Sequence, residues 1–150
     1  MANTIKHQFF FPHPAQMVWD YLTKPELMEQ WLMKNDFQPV VGLDFQFRTG
    51  PIPSLDFDGI FYCKVLEIVP LKRLTYSWKC GPGEGKIAID SVVRWRLEPK
   101  DKGTELFLEH SGFSETENLS MFAALKDGWL KNLHKIADRI NTLQHGHTNA

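Results

Sequence analysis

The chain has 150 residues, of which 43% are hydrophobic and 13% aromatic, and its 17 basic and 18 acidic residues leave a formal charge of -1. That length fits one domain, expected over 1–150 with a core from about 5 to 140, and a core that needs neither disulfides nor metal. The balanced charge excludes a field that steers the chain to nucleic acid or anionic lipid, and no apolar run reaches the roughly 18 residues of a membrane span.

The N-terminal MANTIKHQFFFPHP has too short an apolar run for a signal peptide and lacks a small-residue cleavage site, so a cytoplasmic location is expected. Within it, TIKHQFFF puts Ile5, His7, Phe9 and Phe11 on one parity and predicts a strand with one apolar face. Pro14 suits the first turn of a helix, and Met17, Val18, Tyr21 and Leu22 follow at helical spacing. In TKPELMEQWL, Thr23 and Glu26 stand at capping-box spacing, so a second short helix is expected to end near Trp31–Leu32.

The middle of the chain alternates and is punctuated by turn residues. LDFQFRT places Leu43, Phe45 and Phe47 on one face, GIFYCKVLEIV stops at Pro70, and RLTYSWKC groups Leu74, Tyr76 and Trp78. After GPGEG, IDSVVRWRLEP sets Val93, Trp95 and Leu97 against Arg94 and Arg96; after KDKG, TELFLEH aligns Leu106, Leu108 and His110. Short turns between these segments predict antiparallel neighbours. Cys63 and Cys80 form no CxxC pair and are expected to be free thiols.

From about Glu115 to Leu143 the pattern is helical, with Leu119, Phe122, Trp129, Leu133, Ile136 and Ile140 on one face. Residues 144–150 are expected to be a flexible tail. Gly128 interrupts the helix at a cost of about 1 kcal/mol, far less than the roughly 1.5–3 kcal/mol gained from burying each large side chain. A close approach of another backbone, or a bend along a curved sheet, would account for it. One strand, two short helices, an antiparallel run and a long last helix make an α+β pattern, with the helix covering the sheet's apolar face.

Taken together, PHPAQMVWDYLTKPELMEQWL, VGLDFQF, KVLEIVPLKRLTYSW, VVRWRLEP, GTELFLEHSGF and DGWLKNLHKI resemble the family of activators of the heat-shock 90 chaperone ATPase. That family lies within the START-like, or SRPBCC, superfamily. The resemblance spans about residues 5 to 140 and implies a helix-grip fold, in which a curved antiparallel sheet grips the C-terminal helix around a hydrophobic cavity. Family members often pair, so a homodimer is a further expectation.

The inward rings Trp31, Phe45, Phe47, Tyr76, Trp78, Trp95, Phe113 and Trp129, with His110 and Leu133, are the expected lining for an apolar or aromatic ligand. A filled core is the competing reading. His110, at the inner end of its strand near Phe113, is read either as a ligand contact or acid/base, or as a buried histidine bonded to backbone. Arg94 and Arg96 read as solvated outer-face residues. CGPGEGKIA lacks phosphate-loop spacing and reads as a turn. His13, His134, His145 and His147 show no metal spacing and read as exposed. No cofactor or metal is expected. Three functions follow in order: a non-enzymatic small-molecule binder, an interaction protein acting on a chaperone or another partner, and a cyclase- or hydrolase-like enzyme using His110.

Overall fold

Alternating burial settles most of the elements. The computed structural model describes the backbone of residues 3–148 and the side chains of 3–142. Strand β1 (Asn3–Phe11) leads into helices α1 (Ala15–Thr23) and α2 (Pro25–Trp31), then the short strands β2 (Lys34–Asn35) and β3 (Asp44–Arg48). One 3-10 turn (Pro53–Leu55) precedes the meander β4 (Ile60–Val69), β5 (Arg73–Cys80), β6 (Ile89–Lys100) and β7 (Gly103–Phe113). Helix α3 (Leu119–Thr148) follows. The strands form a single sheet in the order β1-β7-β6-β5-β4-β3-β2, antiparallel throughout.

Alternation puts every second residue of β5, of β6 as far as Leu97 and of β7 as far as His110 inside, and these side chains, with Phe113 after the left-handed Gly112, make the sheet's apolar face. In β4 the register with β5 shifts between Val65 and Glu67, so Leu66 and Glu67 both point to solvent. That extra residue is a β-bulge, a device that bends a sheet. Helix α3 crosses the inner face along β1. His7 Nε2 lies 3.2 Å from the Lys126 carbonyl, the Phe9 ring meets His134 edge-on at 5.3 Å, and His13 Nε2 sits 2.9 Å from Asn141 Oδ1. The expected α+β helix-grip architecture is the one formed.

Several local expectations are corrected. Thr23 caps nothing: it ends α1, and its hydroxyl donates to the Trp19 carbonyl at 2.8 Å, while Lys24 occupies the start of α2. Helix α3 begins at Leu119 rather than near Glu115, because Asn118 takes a left-handed φ of 57° and donates its side-chain amide to the Ala88 carbonyl. Leu119 is consequently exposed, and Met121 takes its place in the core. A Cβ on Gly128 would meet nothing within 4 Å, so no backbone approaches closely there. His13 is buried rather than solvated. Of the expected tail, 144–148 continue the helix backbone and 149–150 lie outside the described residues; the side chains of His145 and His147 are also outside them.

Candidate functional site

All ten residues expected at the site come together in one buried cluster between the sheet and α3. Helix α2 delivers Trp31, β3 delivers Phe45 and Phe47, β5 delivers Tyr76 and Trp78, and β6 delivers Trp95. Strand β7 brings His110 and Phe113, and α3 brings Trp129 and Leu133. Their rings run as a chain of mostly tilted and edge-on contacts. Centroids lie 5.4 Å apart for Phe45–Tyr76, 5.3 Å for Phe47–Trp78 and Trp78–Trp129, 5.6 Å for Trp95–Trp129 and 6.0 Å for Trp31–Trp95. These rings touch one another instead of standing around an open lumen. The clefts of about 640, 580, 660 and 330 Å³ found among the described residues lie on the rim and outer face, and only Phe45 and Trp95 of the ten reach any of them.

Polar atoms inside the cluster decide its chemistry. Trp129 Nε1 donates to His110 Nδ1 at 3.0 Å, which fixes Nδ1 as the unprotonated nitrogen. His110 Nε2 therefore carries the proton and donates it to Ser91 Oγ at 2.8 Å, and Ser91 in turn donates to the Trp78 carbonyl at 2.7 Å. Burial pushes the His110 pKa down to about 3, so the ring is neutral at physiological pH. With both nitrogens engaged, and with the tautomer that gives a proton to Ser91 rather than taking one, this pair is not arranged to activate a nucleophile. Ser91 escaped the sequence reading, although its signal was there: a hydroxyl on the same inward parity as Val93 and Trp95.

Of the four indoles in the cluster, those of Trp31, Trp95 and Trp129 have acceptors and that of Trp78 does not. Trp31 Nε1 donates to the Tyr21 carbonyl at 2.8 Å and Trp95 Nε1 to Tyr76 Oη at 3.0 Å. Trp78 Nε1 has no partner, and Trp78 is fully buried, with Phe61 at 4.3 Å and His110 at 5.5 Å from its ring. Tyr76 uses its oxygen as an acceptor, and burial raises its pKa, so the phenol keeps its proton. Both thiols are free and buried; burial lifts Cys63 well above the usual range and Cys80 to about 12, so neither offers a ready thiolate. Among the described residues no group of three or more metal-binding side chains occurs, and no helix is long and apolar enough to cross a membrane.

Comparison with known proteins places this architecture. Protein MLL2253 from Mesorhizobium loti is 32% identical, with 93% of this chain and 98% of that one covered at a TM-score of 0.82. CalU16 from Micromonospora echinospora is 28% identical over 93% of this chain and 74% of that one, with a TM-score of 0.70. A protein described as the Aha1 dimer from Colwellia psychrerythraea is 20% identical over 91% and 94%, with a TM-score of 0.72. No curated protein matches the chain. The model of the family described as Activator of Hsp90 ATPase homolog 1-like protein matches residues 12–141, and the chain belongs to that family.

Proposed function

We propose that this chain binds a small apolar or aromatic molecule among the rings beneath α3, without catalysis, and that the molecule carries a neutral hydrogen-bond acceptor. One observation carries the reading: the orphaned N–H of Trp78, fully buried among aromatic rings. A buried donor without an acceptor costs about 1–3 kcal/mol, and few persist in native folds. A ligand oxygen placed at Trp78 Nε1 recovers that cost. Surrounding rings supply the apolar contact, and Tyr76 brings a hydroxyl nearby, its ring stacked 6.4 Å from Trp78. Because the rings already meet, the ligand enters by parting them rather than by filling a standing void.

The test compares two tricyclic ligands of nearly equal shape, 9-fluorenone and fluorene, by thermal shift. Saturation at a hundred times Kd adds roughly 2.7 kcal/mol to the stability. Fluorenone is expected to bind about five- to tenfold more tightly than fluorene, the ratio of one hydrogen bond near 1 kcal/mol. Trp78→Phe is expected to erase that preference. If neither ligand, nor a broad set of apolar and aromatic ketones, stabilises the protein, the reading fails. Pairing of two copies ranks below this reading, since the Colwellia dimer at 20% identity carries the fold alone.

A further inference from the structure

A second feature lies outside the ring cluster, on the rim where the β4–β5 turn meets the end of β6. Leu71, at the tip of that turn, has a φ of 66° and is 38% exposed. The left-handed region is costly for a large L-residue, and glycine is the usual occupant. Its turn is closed by Lys72 N donating to the Val69 carbonyl at 2.9 Å, and Leu97 N donates to the Lys72 carbonyl at 2.8 Å. Strained residues of this kind persist where the side chain has a use. Here the side chain is a wall of the rim cleft of about 640 Å³, whose apolar lining also includes Val69, Leu97 and Pro99.

The same cleft holds a second anomaly. Arg73 and Arg96 face each other directly across the β5–β6 ladder, where like charges repel. Each has a carboxylate at its flank, Glu67 at 3.6 Å from Arg73 Nε and Glu98 on Arg96, and both arginines line the cleft. Arg96 is further held over the Phe107 ring at 3.9 Å. Lys72 adds a third cation to this lining, against Glu98 as its one acidic member. We propose that the rim cleft is a binding site for an amphipathic carboxylate, its head on Arg73 and Arg96 and its alkyl tail against Leu71 and Pro99. An anionic head balances a lining that holds Lys72, Arg73 and Arg96 against Glu98 alone, and a tail in the cleft gives the strained leucine its reason. This site is separate from the ring cluster and does not depend on it.

The experiment is an amide NMR titration with octanoate, with 1-octanol as the uncharged control. Octanoate is expected to shift the amides of Leu71, Arg73, Arg96 and Leu97 in a saturable way, and octanol is not. Arg73→Gln combined with Arg96→Gln is expected to weaken octanoate by about tenfold or more. Leu71→Gly is the sharper variant: it is expected to raise the melting temperature by relieving the backbone and to weaken octanoate, opposite signs that a purely structural leucine would not give. Octanoate that shifts no rim amide at millimolar concentration, or that binds both variants as tightly as the parent, overturns the site. An anionic head on an alkyl chain also describes a lipid. Co-sedimentation with phosphatidylglycerol vesicles, lost in the same variants, assigns the carboxylate's place to a membrane lipid, and its absence alongside octanoate binding assigns it to a free acid.

Discussion

At the scale of single residues, the site divides into groups whose hydrogen bonds are closed and groups whose bonds are open. His110 is closed on both nitrogens, and its pKa of about 3 has a consequence for stability. In the unfolded chain a histidine titrates near 6.5, so below that pH the unfolded state gains a proton that the folded state refuses. Stability contributed by keeping the ring neutral is complete above 6.5 and is lost as pH falls toward 3, by about 1.4 kcal/mol per pH unit. His110→Gln is expected to be less stable at neutral pH but flatter through that window, as read by urea midpoints in acid. Equal slopes for the two proteins would mean that His110 does not hold this share of the acid sensitivity. Inward placement of His110 was legible from its parity with Leu106 and Leu108, whereas its role was not. Trp78 and Ser91 face each other on the consecutive strands β5 and β6 while Trp129 comes from α3, and only their packing shows that two indoles differ, one satisfied and one orphaned.

At the scale of elements, two glycines give opposite forecasts. Gly128 sits inside α3 with open space where a Cβ would stand, so Gly128→Ala is expected to raise stability by up to about 1 kcal/mol, through helix propensity and a less disordered unfolded chain. Gly103 opens β7, and a Cβ there would lie 2.4 Å from the Phe11 carbonyl oxygen and 3.0 Å from Pro12 Cα. Those are backbone atoms, so Gly103→Ala must shift β1 from β7 and is expected to cost about 1–3 kcal/mol. Thermal melts of the two variants check both signs. The strands and the long helix were readable because alternation and a three-to-four spacing report directly which face is buried. Features set by a single backbone angle or one extra residue were not: the bulge at Leu66, the left-handed Asn118 that delays α3, and Thr23 bonding backward instead of forward. A capping-box spacing and a back-bonded threonine look alike until the preceding helix is seen to run through the position.

At the scale of the whole molecule, the sheet and α3 close over the rings so completely that access becomes the controlling step. Trp78 and Leu74 are fully buried, and Trp31, Tyr76, Trp95 and Trp129 are each 1% exposed. A ligand of the proposed kind cannot touch Trp78 in this arrangement, so binding must draw on a minor opened state. The covering element is α3, held to the sheet by Lys126 and Trp129 in its first half and by His134 and Asn141 in its later turns, with Gly128 between the first two, so opening is movement of α3 about Gly128 that breaks the Trp129–His110 bond. Mixing with excess fluorenone under stopped flow, followed by tryptophan fluorescence, is therefore expected to give a rate that rises and then levels off with ligand concentration, the plateau being the opening rate. Gly128→Ala, which stiffens the helix next to Trp129, is expected to lower that plateau while raising the melting temperature. A rate that climbs linearly without limit would show that the rings are reached without opening, and an unchanged plateau in the variant would place the moving element elsewhere than in α3.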